Sequence, residues 1–186
     1  MERHFFVALQ LPAEVKRKLN QLCHEIKKNH SFKTWVHPED YHITLAFLGK
    51  ASRIQIENLT SSLRETVAEH DIFTLVINRL GFFGNKEQPR IFWAGVEEQD
   101  KLYYLQKLVA NACAEADFKL EKRPYAPHIT LARKYIGSDA VPVDSAGWWQ
   151  TYGEEVEFQA ENIVLYETHF EMQPKYQIVK SFPLKK

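Results

Sequence analysis

The sequence predicts an α+β protein in which two similar lobes of strands and helices meet at a cleft. Three observations predict it. Apolar residues switch several times between a period of two and helical spacing. The elements run strand, helix, strand, helix, strand, strand, helix, strand and then a closing hairpin, so the types repeat loosely in two halves. The tetrapeptide His-Ile-Thr-Leu also occurs twice, at His42–Leu45 and His128–Leu131, once in each half.

The elements follow in order. His4–Leu11 reads as a buried strand closed by Pro12, which suits a first helical turn. Val15, Leu19, Leu22 and Ile26 mark that helix. Trp35-Val36 is a short extended piece before the loop His37-Pro38-Glu39-Asp40. The first His-Ile-Thr-Leu strand stops at Gly49. Ser52 caps a second helix with Ile56, Leu59 and Leu63 on its apolar face. Ile72–Leu80 alternates as a strand, and Gly81 to Pro89 reads as a loop bearing Phe82 and Phe83. Ile91–Val96 is a strand, and Leu102, Leu105, Leu108 and Val109 mark a third helix. After the second motif, Gly137–Gly153 is the longest irregular stretch, with Pro142 and the pair Trp148-Trp149. Phe158–Thr168 and Tyr176–Phe182 read as the closing hairpin.

Composition excludes several classes. A chain of 186 residues with 45% hydrophobic and 26% charged residues suits one domain, residues 1–186, with a sizeable core. Zero formal net charge argues against coating long nucleic acid but leaves room for a local phosphate site. Cys23 and Cys113, in helix-like segments, read as buried reduced thiols without a disulfide framework or zinc spacing. The opening Met1–Phe6 is too short an apolar run for a signal peptide, and no stretch is long enough to span a membrane. A cytoplasmic monomer is the expectation.

In a strand, His and Thr at i and i+2 share a face while Ile and Leu point into the core. Each motif therefore presents one imidazole and one hydroxyl together, a pattern that fits either a paired acid and base or two unrelated strands. Thr44 and Thr130 read equally as β-branched strand residues. Arg133 reads as a solvated strand end or an anion contact. His37 and His42 near Glu39 and Asp40 have metal-ligand types, but the mixed loop and strand context disfavours a metal site. Phe82, Phe83, Trp93 and Tyr41 offer faces for a nucleobase, with the loop phenylalanines favoured and Trp93 placed in the core. Arg90 stands beside them.

The two His-x-Thr-x motifs resemble those of the 2H phosphoesterase superfamily. The surrounding blocks Trp35-Val36, His42–Gly49, Gly81–Phe83 with Pro89–Val96, and Arg123–Arg133 are similar to the RNA 2′,3′-cyclic phosphodiesterases, long called 2′–5′ RNA ligases. The blocks occur in family order across most of the chain. The resemblance implies a bilobal 2H phosphoesterase-like fold with antiparallel sheets lining a central cleft and helices outside. It implies hydrolysis of an RNA-terminal 2′,3′-cyclic phosphate to a 2′-phosphate, without cofactor or metal, with weak reverse 2′–5′ ligation. By position it makes His42 the proton donor, His128 the proton acceptor, and Arg133 a phosphate neighbour. Lys33-Thr34 stands where many relatives carry an arginine, so no contact is assigned there. Thr44 and Thr130 would donate to non-bridging oxygens, and Phe82, Phe83 and Arg90 would meet base and backbone. Two other functions compete: hydrolysis of a smaller cyclic nucleotide metabolite, and non-catalytic binding of RNA ends.

Overall fold

A computed structural model describes residues 3–138 and 145–186. Met1 and Glu2 of the expected non-signal start, and Pro142 of the expected irregular stretch, lie outside the described residues. The chain runs β1 (His4–Gln10), α1 (Ala13–Lys27), β2 (Phe32–Trp35), a 3₁₀ turn (Pro38–Asp40), β3 (His42–Lys50) and α2 (Arg53–Ala68). It continues β4 (Phe73–Gly84), β5 (Pro89–Val96), α3 (Asp100–Glu115), β6 (Ile129–Tyr135), α4 (Ser145–Tyr152), β7 (Val156–Ala160), β8 (Asn162–Thr168) and β9 (Tyr176–Pro183).

The strands form two sheets, ordered β3-β1-β8-β9 and β2-β6-β5-β4-β7. Every strand pairing within them is antiparallel. Each sheet mixes early and late strands. β2 crosses to pair with β6, while β8 and β9 return beside β1. The expected strand Phe158–Thr168 is therefore two strands, split at Glu161 and sent to different sheets. A period of two reveals which residues are buried but not which strand lies alongside.

Helix boundaries follow local chemistry. At α2, Ser52 Oγ accepts from the Gln55 amide while the Gln55 side chain accepts from the Ser52 amide, a reciprocal cap. Its line Leu59, Leu63 and Val67 is buried. α1 buries Val15, Leu19, Cys23 and Ile26, and α3 buries Leu102, Leu105 and Val109. These stripes and the inner faces of both sheets share one core that includes Leu9, Ile43, Ile129 and Leu131. Both cysteines are buried and free, and burial pushes their thiols up to about 11 at Cys23 and about 12 at Cys113.

Two expected irregular stretches are regular. α4 occupies part of Gly137–Gly153, and its Trp148 is 2% exposed, wedged edge-on against Phe82 and Phe92. Trp149 packs on the same core, half-buried. β4 also continues through Phe82 and Phe83 to Gly84 instead of stopping at Leu80. Gly81 permits this: a Cβ there would lie 2.1 Å from the Trp93 ring on β5. This glycine marks a close approach inside a strand, not a turn.

Candidate active site

His42 opens β3 and His128 immediately precedes β6. Ile43 and Leu45 are buried on one side, as are Ile129 and Leu131, so His42, Thr44, His128 and Thr130 turn together to the opposite faces. The same detail recurs in both motifs. His42 Nδ1 lies 2.7 Å from the Asp40 carbonyl oxygen, and His128 Nδ1 lies 2.7 Å from the Ala126 carbonyl oxygen. A carbonyl only accepts, so each Nδ1 carries the proton and donates it. Each Nε2 is then the variable nitrogen, able to take or give a proton. His42 Nε2 stands 3.0 Å from Thr44 Oγ1.

The motifs are coupled. The charge of His128 bears on His42, and the charge of Arg133 bears on both imidazoles. Tyr125, three residues before His128, donates its hydroxyl to the Thr44 carbonyl at 3.0 Å. Burial pushes the His42 pKa down to about 4, opposed by the bond to the Asp40 carbonyl and aided by His128, Arg133 and Lys16. Burial also lowers His128, the Ala126 carbonyl opposes this, and Arg133 and Arg123 add to it.

The sequence profile of the 2′-5′ RNA ligase superfamily matches residues 19–169. The chain belongs to this superfamily. An RNA 2′,3′-cyclic phosphodiesterase of Geobacillus stearothermophilus is 39% identical over 181 residues, covering 97% of this chain and 57% of the relative. The chain thus spans little more than half of that relative's length. The protein of the same name from Bacillus subtilis is 36% identical over 188 residues, covering 97% of this chain and 96% of its own. Among solved structures, E. coli LigT complexed with 3′-AMP superposes over 100% of both chains at TM-score 0.78 and 23% identity. TT0787 of Thermus thermophilus superposes over 98% of each at 0.76 and 21%. These two likenesses carry the fold alone: α+β, two antiparallel sheets, the 2H phosphoesterase architecture.

In this member of the 2′-5′ RNA ligase superfamily, the remaining candidates separate by strand face. Phe83 meets His128 edge-on, with ring centroids 4.9 Å apart and planes at 89°. Trp93 is half-buried, not core. It lies across Gly81, 5.2 Å from Phe83 and 6.4 Å from His128. Phe82 turns the other way, into the core beside Phe92 and Trp148, because alternate side chains of β4 change face. Arg90 is exposed and is the extra residue of a bulge, where Phe83 pairs with Ile91 and Gly84 with Pro89. Tyr41 is 1% exposed, with its hydroxyl toward Cys23 Sγ, and offers no stacking face. His37 Nδ1 accepts from the Glu39 amide and caps the 3₁₀ turn. Among the described residues no group of three or more His, Cys, Asp or Glu converges to hold a metal. No helix among them is long and apolar enough to cross a membrane.

Sequence reasoning missed the aromatic wall around His42. Phe6 lies 4.8 Å from the imidazole, Tyr176 5.3 Å and Tyr166 5.9 Å between centroids. The charge of Arg133, just after the second motif, also bears on Tyr176. Phe6, Tyr166 and Tyr176 come from β1, β8 and β9, and the apolar runs of β1 and β8 were the only local signal for the first two.

The histidine shifts make a stability prediction. Unfolded imidazoles titrate near about 6.5. The folded His42 titrates at about 4, so between these values the unfolded state binds more protons. His42 therefore contributes stability above the unfolded value, and this is lost as pH falls towards about 4. Thermal melts from about pH 7 down to about pH 4.5 should show a smaller drop in Tm for His42→Asn than for the parent. Equal drops would remove His42 as a source of the dependence.

Proposed function

We propose that this chain hydrolyses an RNA-terminal 2′,3′-cyclic phosphodiester to a 2′-phosphomonoester by two-histidine acid–base chemistry. One observation carries the reading: two imidazoles are held alike, each Nδ1 on the carbonyl two residues before and each with a threonine two residues after. Such a pair suits a displacement at phosphorus that needs one proton removed and one supplied. The names of the Geobacillus and Bacillus relatives support the substrate class.

In this scheme His128 Nε2 removes a proton from water as the water oxygen bonds to phosphorus. The bond from phosphorus to the 3′-oxygen breaks, and His42 Nε2 gives that oxygen its proton. The phosphate stays on the 2′-oxygen. Attack in line with the leaving oxygen requires base and acid on opposite sides of phosphorus. Thr130 and Arg133 donate to the non-bridging oxygens.

Thr44 connects the clamp to the acid. With neutral His42, the single hydroxyl proton of Thr44 points at Nε2. With charged His42, Nε2 no longer accepts, so its N–H serves the leaving 3′-oxygen and the Thr44 hydroxyl proton is released for phosphate. Substrate supplies the charge that makes this possible, because a bound phosphodiester anion favours the imidazolium and opposes the burial that holds His42 at about 4. A 5′-hydroxyl attacking phosphorus in place of water, with the 3′-oxygen leaving as before, would give a 2′–5′ linkage.

An RNA oligomer ending in a 2′,3′-cyclic phosphate, incubated with chelator present, tests the reading. Phosphorus NMR against both authentic monophosphates should find the 2′-phosphate in excess. A predominant 3′-phosphate would reverse the substrate orientation. Binding without turnover would leave an RNA-end binder, and loss of turnover with chelator would introduce a metal.

A further inference from the structure

We infer that Asp40 is a positioning residue for His42, acting through Tyr176. The inference rests on the two-histidine reading. Asp40 ends the 3₁₀ turn two residues before His42, and it is 4% exposed. Each oxygen of its carboxylate accepts one backbone bond. Oδ2 accepts from the Lys175 amide at 2.9 Å and Oδ1 from the Tyr176 amide at 3.0 Å. A buried carboxylate without partners is costly, and two backbone donors make its bonds charge-assisted.

Those two amides begin β9, an edge strand of the first sheet and distant in sequence. Asp40 thereby ties the start of β9 to the turn that leads into the first motif. The Asp40 main-chain carbonyl meanwhile accepts from His42 Nδ1. One residue sets both the imidazole orientation and the strand that walls it.

Tyr176 makes this useful. Its ring meets His42 edge-on at 85° and Phe6 at 81°. The charge of Arg133, which reaches both imidazoles, also bears on the Tyr176 hydroxyl. The connection runs from the Asp40 carboxylate to the Tyr176 backbone and from the Tyr176 ring to His42. A loosened β9 start would free His42 on that side. The residue types alone place Asp40 in a loop of acidic residues and suggest nothing of this.

The test combines Asp40→Asn, Tyr176→Leu and the double variant. Asparagine keeps the shape but sets an NH2 group against a backbone N–H, so one bond is lost. With a cyclic-phosphate RNA dinucleotide, Asp40→Asn should lower kcat about tenfold or more, with a smaller change in KM. In the Tyr176→Leu background the same change should add little, since both act through one path. The imidazole nitrogen NMR signals of His42 should shift in both single variants. Independent, multiplying losses, or unmoved His42 signals, would overturn the inference. If the parent turns over no cyclic phosphate, the proposed reaction fails while the His42 signals still decide the role of Asp40. If Asp40→Asn does not fold, Tyr176→Leu alone decides: an unmoved His42 signal overturns the inference.

Discussion

His42→Ala and His128→Ala are each expected to lower turnover by roughly 10²–10⁴-fold, as removal of a general acid or base does. Both substitutions should fold. Each imidazole is half-buried on a site face, while the neighbouring Ile43 and Ile129 hold the core. The two losses should not multiply, because a displacement that lacks one proton partner gains little from the other. Steady-state kinetics on a cyclic-phosphate dinucleotide, with circular dichroism to check folding, measures this. Near-normal turnover in either single variant would sink the scheme. The parent rate should be bell-shaped in pH, with two apparent values belonging to the coupled pair. In kcat/KM both values should lie below the ordinary histidine range, since the free protein lowers both imidazoles. In kcat at least one should move up, because bound phosphate charge favours the imidazolium.

Thr44→Val and Thr130→Val remove one donor each and keep the β-branched shape. Losing a donor aimed at developing charge costs about 3 kcal/mol of transition-state stabilisation, on the order of a hundredfold in rate. The effects should differ in kind. Thr44 bonds His42 Nε2, so its loss should also move the acid limb of the pH profile. Thr130 pairs with Trp93 across β5 and β6, so its loss should leave that limb in place. Arg133→Ala should raise KM and lower kcat together, because the guanidinium neutralises substrate charge throughout. Unchanged kinetic parameters in all three would return these residues to a structural role.

Much was legible in the sequence alone. Two identical His-x-Thr-x segments with apolar residues between them dictated one imidazole and one hydroxyl per copy on a shared face. The reciprocal cap at Ser52 and Gln55 was written locally, as were the apolar stripes of α1, α2 and α3. All of these depend on residues within about four positions of each other, the range over which helix and strand periods act. The α+β class follows from those periods.

What tertiary structure decided involves partners far apart in the chain. No local rule assigns β2 to β6, or splits 158–168 between two sheets, because strand pairing is set by the whole packing. Gly81 read as the start of a loop, yet it lies within β4 and serves the Trp93 ring that presses on it. Phe82 and Phe83 looked equivalent until β4 continued through them and sent one to the core and one to His128. Asp40 is the clearest case. Its residue type announced a loop or a ligand, and its role comes from two amides at the start of β9 that sequence distance hides. The sequence by itself determined the reactive groups and the faces they share, because alternation along a strand is local. The surroundings that shift their proton affinities and fix their orientation are non-local, so only the folded chain decided them.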